Sequence, residues 1–184
     1  MEISTPNRCK KMALPNGKVV DLLTPVLVEI QKWLQDEPGK PESGGFIVGY
    51  KHKETGNISL EEVSHPYLLD HKSRVHFDIK DPRHKAFLLK AQRNKSFYMG
   101  VWHTHPQSKP IPSDVDWEDW NQTLQSDRTG CEYVFFIIAG TDEIRVWVGN
   151  FENKSIIEVF ECPISKDGMY TKTTEEGLCD EETH

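Results

Sequence analysis

The chain has 184 residues, with 22 Lys+Arg against 29 Asp+Glu and a formal charge of −7. That length suits a single domain that buries a core without a disulfide scaffold, and a hydrophobic content of 36% with five Trp and eight Phe argues against general disorder. The acidic balance disfavours nucleic-acid binding by phosphate neutralisation, and the longest apolar run, Val134 to Ala139, is far too short to span a bilayer as a helix.

The start, Met1 to Pro6, is polar and lacks the apolar stretch of a secretory signal. Cys9, Cys131, Cys162 and Cys179 form no Cys-x-x-Cys pair, which reads as reduced thiols and an expected cytoplasmic location, with no nucleic-acid or membrane partner. Residues 1–19 are set apart as an N-terminal segment. Leu22 to Gln35 predicts a helix capped by Thr24, with Pro25 in the first turn and Leu27, Ile30 and Leu34 on one face. Gly44-Gly45 leads into a strand over 46–50, and Gly56-Asn57 into another over 58–63.

Val75, Phe77 and Ile79 alternate with polar residues and predict a strand; Asp81-Pro82 opens a helix reaching Phe97. A buried strand over 98–103 runs into His103 and His105, followed by a Pro-rich loop, 106–112. Ser113 or Asp114 caps a helix to about Gln125. Strands over 132–139 and 144–148 form a hairpin, and 156–160 is a last strand. Residues 163–184 carry a net charge of −4 and read as a solvated acidic tail, which leaves 20–162 as the domain.

Two histidines one residue apart at a strand end project to the same side, so His103 and His105 can reach one ion. Asp116, in the first turn of the next helix, adds a carboxylate. Such a three-ligand set leaves a fourth tetrahedral position for water, the arrangement of a catalytic rather than a structural Zn²⁺ site. Glu42, ahead of Gly44-Gly45, is the candidate base, and the glycines would let the backbone pass close to the pocket. Ser113 has the hydroxyl that an oxyanion would need. Each residue alone has a plainer reading: ordinary strand histidines, a helix-dipole acid, an N-cap, a loop carboxylate.

Together they form His103-x-His105, seven residues, Ser113, two residues, Asp116, with Pro41-Glu42-Ser43-Gly44-Gly45 upstream. This pattern resembles the JAMM motif of the MPN-plus metalloproteases, over roughly residues 20–160. The resemblance implies an α/β, cytidine-deaminase-like fold, a curved mixed sheet flanked by helices. It also implies Zn²⁺ on His103, His105 and Asp116, Glu42 as general acid/base and Ser113 as oxyanion stabiliser. The reaction implied is hydrolysis after the C-terminal glycine of a ubiquitin-like protein, freeing it from a conjugate or precursor.

The short length resembles the prokaryotic members, in particular the deconjugating isopeptidases of bacterial anti-phage operons, whose partners would include E1- and E2-like enzymes. A peptidase for sulfur carriers or small peptides, and a non-catalytic scaffold of the same fold, are the rival readings. The remaining histidines, among them His76 and His84, and the lysines around Lys51 and Lys72 read as packed or solvated residues. At least two of Trp102, Trp117, Trp120 and Trp147 are expected in the core, with Trp117 a candidate for the channel wall.

Overall fold

The computed structural model describes residues 9–162, together with the two-residue strands Lys172–Thr173 and Cys179–Asp180, which pair antiparallel. The expected acidic tail otherwise lies outside the described residues. In chain order the elements are β1 (Lys10–Ala13), β2 (Val19–Leu22), α1 (Thr24–Gln31), β3 (Gly44–Lys51), β4 (Ile58–Val63), β5 (His71–Ser73), β6 (His76–Asp78), α2 (Pro82–Arg93), β7 (Phe97–Thr104), α3 (Asp114–Ser126), β8 (Tyr133–Ala139), β9 (Ile144–Asn150) and β10 (Ile156–Val159).

Eight strands form one mixed sheet in the order β1-β2-β4-β3-β7-β8-β9-β10, with β2–β4 and β7–β8 parallel. The sheet curls until its edges nearly meet. Met12 bridges Glu161, Ala13 N–H donates to the Phe160 carbonyl, and Cys162 N–H to that of Lys11. This is the expected curved mixed α/β sheet, and the short β5–β6 hairpin stands outside it.

Closure gives the sheet two buried faces. Inside lie Leu22, Ile47, Leu60, Met99, Phe135 and Ile137, plugged by Val26 and Ile30 of α1. Outside, Val134, Phe136 and Ile138 of β8 meet Trp147 of β9 and Trp120 and Leu124 of α3. β8 is buried on both sides, so its sequence is an unbroken apolar run rather than an alternating one. Trp102, Trp120 and Trp147 are core residues, whereas Trp117 is 36% exposed.

Several local expectations shift. Thr24 does not cap α1; Leu23 holds the N-cap position without a side-chain bond, and Pro25 occupies the first turn. Asp81 does cap α2, accepting from Arg83 N–H, but the helix stops at Arg93 and Phe97 begins β7. Of the segment set apart as 1–19, Lys10–Ala13 form the edge strand and Val19 starts β2, joined through a turn at Asn16-Gly17 with Gly17 at φ 78°. Asn-Gly between apolar residues is a strong hairpin signal, and Met12 and Val20 are buried.

Candidate metal centre

The site begins with a bulge. In β7, Gly100 pairs with Ile47 while Tyr98 pairs with the next residue, Val48, so Met99 has no partner across the ladder. Gly100 sits at φ 152°, and a Cβ there would collide with the Phe135 carbonyl oxygen. The extra residue reverses the alternation. Met99 faces the inner core, Val101 the outer, and Trp102 the inner again. His103 and His105 therefore follow Val101 to the outer face, beneath α3. His105 is fixed further by its N–H donating to the Ala139 carbonyl at 3.0 Å.

α3 delivers the carboxylate. Ser113 is the N-cap, its Oγ accepting from Asp116 N–H at 3.1 Å, while Asp116 Oδ2 accepts from Ser113 N–H at 2.7 Å. This capping box starts the helix with Asp116 at N3. Four residues on, and so on the same helix face, Trp120 stacks on Phe136 at 4.7 Å between ring centroids. The buried indole thereby anchors the helix with Asp116 turned toward the sheet.

His103 Nε2 lies 3.0 Å from Asp116 Oδ1, His105 Nε2 3.2 Å from Asp116 Oδ2, and the two Nε2 atoms are 3.1 Å apart. The ligand atoms of all three lie within 4.8 Å of one another, and this is the one such group among the described residues. Burial opposes ionisation of Asp116, yet hydrogen bonding to His103 and His105 holds its carboxyl far below the usual range. Burial likewise opposes protonation of His105, and Asp116 beside it raises its pKa on balance. His105 Nδ1 faces Gln107 Oε1 at 3.4 Å, and the same oxygen accepts from Ile111 N–H. Such a contact to the outer ring nitrogen fixes the orientation of a ligating imidazole.

Glu42 enters from the segment ahead of β3. It is 5% exposed, and its Oε1 lies 3.7 Å from His105 Nε2. Burial pushes its carboxyl up to about 8, His105 pulling against that and Asp116 adding to it. All five residues singled out from the sequence therefore lie in one place, although Ser113 Oγ is engaged as a cap.

The two glycines after Glu42 have different neighbours. A Cβ on Gly44 would stand 2.6 Å from the Trp102 carbonyl and 2.7 Å from the Phe77 ring, at the pocket, as expected. Gly45 instead makes room for Ser64.

A cavity of about 320 Å³ opens beside the cluster, between β6 and α3, with Phe77, Ile79 and Asp78 on one wall and Asp119 and Trp120 on the other. Trp117 is not among its lining residues. β6 was only half legible as a strand, because its partner β5 is wholly polar and exposed.

A family model described as prokaryotic homologs of the JAB domain matches residues 24–149. A protein of Vibrio cholerae serotype O1 named CD-NTase/cGAS isopeptidase is 28% identical over 124 residues, covering 66% of this chain and 74% of the relative. One of the same name from Escherichia coli is 26% identical over 133 residues, 71% and 80% of the two chains. The solution structure of a Desulfitobacterium hafniense protein superposes with a TM-score of 0.51 at 22% identity, over 74% of this chain and 87% of that one, a likeness of fold alone. Among the described residues no helix is long and apolar enough to cross a membrane.

Proposed function

The chain belongs to the family of prokaryotic JAB-domain proteins, and from that premise we propose that it is a Zn²⁺-dependent isopeptidase. Its substrate would be a conjugate whose acyl side is the C-terminal tail of a ubiquitin-like protein or of a CD-NTase, the enzyme class in its relatives' names. The carrying observation is the convergence of His103, His105 and Asp116, with the Glu42 carboxyl 3.7 Å from His105.

The donor set fits the ion. Two imidazoles and one ionised carboxylate, with the carboxylate already held by Ser113 N–H, match a three-ligand catalytic site rather than a closed structural one. Bound there, Zn²⁺ would supply Lewis acidity toward the scissile carbonyl and ease deprotonation of water. The remaining work falls to the chain. Glu42, buried with its carboxyl beside His105, would accept the proton of the attacking water. It would return that proton to the departing lysine Nε as the C–N bond breaks, leaving a carboxylate and an amine. The Ser113 hydroxyl would donate to the oxyanion, since its Oγ accepts from Asp116 N–H and keeps its own proton free.

The cavity between β6 and α3 would take the extended tail. The β6 edge would offer backbone groups for strand pairing, and Phe77 and Trp120, which line the cavity, would favour small residues next to the metal.

The test is incubation of the purified chain with a panel of conjugates joined through a C-terminal glycine to lysine Nε, with and without chelator, followed by mass spectrometry of the cut site. The panel includes ubiquitin-like proteins and a CD-NTase. Chelator-sensitive cleavage after the glycine is the expected result; a chain that binds these conjugates and cuts none of them would be a scaffold.

A further inference from the structure

One buried polar side chain near the site is used by none of the chemistry above. Gln35 follows α1 and is 4% exposed. Its Nε2 donates to the Lys40 carbonyl at 3.0 Å and to the Arg74 carbonyl at 3.3 Å. Its Oε1 accepts from Thr104 Oγ1 at 2.9 Å, and Thr104 Oγ1 in turn accepts from Ser43 N–H at 3.0 Å. Gln35 Nε2 serves two carbonyls, Thr104 Oγ1 both accepts and donates, and Thr104 is completely buried.

What these bonds connect is specific. Thr104 stands between His103 and His105. Lys40 and Ser43 flank Glu42 on either side. Arg74 follows Ser73, whose carbonyl accepts from Glu42 N–H at 2.8 Å. The return bond, Thr104 N–H to the Ser43 carbonyl at 2.9 Å, doubles the tie between the two segments. Three stretches distant in sequence thus meet on one amide: the Glu42 segment, the β5–β6 hairpin that walls the cavity, and the histidine strand.

We infer that Gln35, acting through Thr104, is a positioning residue that sets the Glu42 carboxylate against the His103–His105 pair and holds the β5–β6 hairpin in register with it. The inference rests on the isopeptidase reading for its kinetic part, though not for its structural part. An unmade bond inside this chain would leave a buried polar group unpaired, so the segment would relax rather than tolerate the gap. A shift of about 1 Å in a reacting group lowers turnover by about 100-fold. The metal ligands make no bond to Gln35 and would stay in place.

The experiment compares Gln35→Met, Thr104→Val and Thr104→Ser in the full chain loaded with Zn²⁺. Amide hydrogen exchange at Glu42 and Ser43 is read without substrate, alongside metal content and the melting curve. Expected are at least tenfold faster exchange at both amides in Gln35→Met and Thr104→Val, near wild-type protection in Thr104→Ser, and one Zn²⁺ per chain throughout. On a conjugate that the wild type cuts, kcat falls by about 10- to 100-fold with KM within twofold, and Thr104→Ser restores it.

Wild-type exchange in both disruptive variants, or no rescue by Thr104→Ser, overturns the inference. So does loss of the metal along with protection. Should Gln35→Met fail to fold, the Thr104 pair tests the same bonds from their other end. If the wild type cuts no conjugate, the isopeptidase reading fails while the exchange data still decide this one.

Discussion

Ser113 and Asp116 hydrogen-bond each other reciprocally, side chain to backbone in both directions, at 3.1 and 2.7 Å. The carboxylate that closes the start of α3 is thus the one that faces both imidazoles. Helix initiation and the group that could hold a metal ion are one local structure.

That sharing separates two roles of Ser113. Ser113→Ala removes the cap and should cost about 1 kcal/mol of stability, whereas Ser113→Gly should cost only a few tenths, about 0.3 kcal/mol. Both lack the hydroxyl, so both should lose about 100- to 1000-fold in kcat if it serves the oxyanion. Denaturant melts and steady-state kinetics on the two variants check this; turnover that follows stability would leave Ser113 as a cap alone.

Glu42→Gln keeps the size and hydrogen-bonding shape of the buried side chain but cannot accept a proton. Metal content should remain at the wild-type level while kcat drops by about 100-fold or more. His103→Ala should instead lose the metal, because it removes one of the three proposed ligands. Elemental analysis beside the rate measurement distinguishes the two; comparable cleavage by Glu42→Gln would remove Glu42 as the acid/base.

Acid stability should depend on Asp70. Burial opposes its ionisation, but the N–H groups of Asp81, Tyr67 and Lys80 and the His84 imidazole hold its carboxyl below the usual range. With the folded pKa depressed, the unfolded chain binds the proton more readily. The stabilisation is present above the unfolded value, about 3.9, and fades as pH falls through the folded one. Asp70→Asn should therefore lower the melting temperature at neutral pH and flatten its decline between about pH 5 and pH 2. Parallel curves for the two proteins would show that Asp70 does not carry the acid limb. The same change would loosen the Ser64–His84–Asp70 chain, with bonds of 2.7 Å on either side of the imidazole, which ties the end of β4 to α2.

Gly100→Ala tests the bulge. The added methyl meets the Phe135 carbonyl in a backbone conformation that L side chains avoid. Either the chain is destabilised by about 3 kcal/mol or more, or β7 slips and turns its histidines off the outer face. The first outcome should appear as a lowered melting temperature, the second as lost metal binding as well. A variant with wild-type melting and full metal content would show that the bulge does not set the histidine face.

Much of this molecule was legible in its sequence, because the signals were local. Asp81-Pro82 and Ser113 through Asp116 start helices with bonds spanning three residues or fewer. The apolar run of β8 and its turn to β9 announce a hairpin buried on two faces. The spacing of His103, His105, Ser113 and Asp116 resembles a known motif, and the strand and the capped helix that carry those four are each legible locally. Tertiary structure decided what depends on the ladder and on closure. Nothing local tells that Met99 goes unpaired and reverses the histidine face, since a bulge is defined by the partner strand. Asn16-Gly17 marks a hairpin, but nothing local brings its Lys10–Ala13 strand to the far edge of the sheet, or links Gln35 to Thr104 across 69 residues. Glu42 reaches His105 only once β3 lies beside β7, because short-range propensity is blind to which strands will pair.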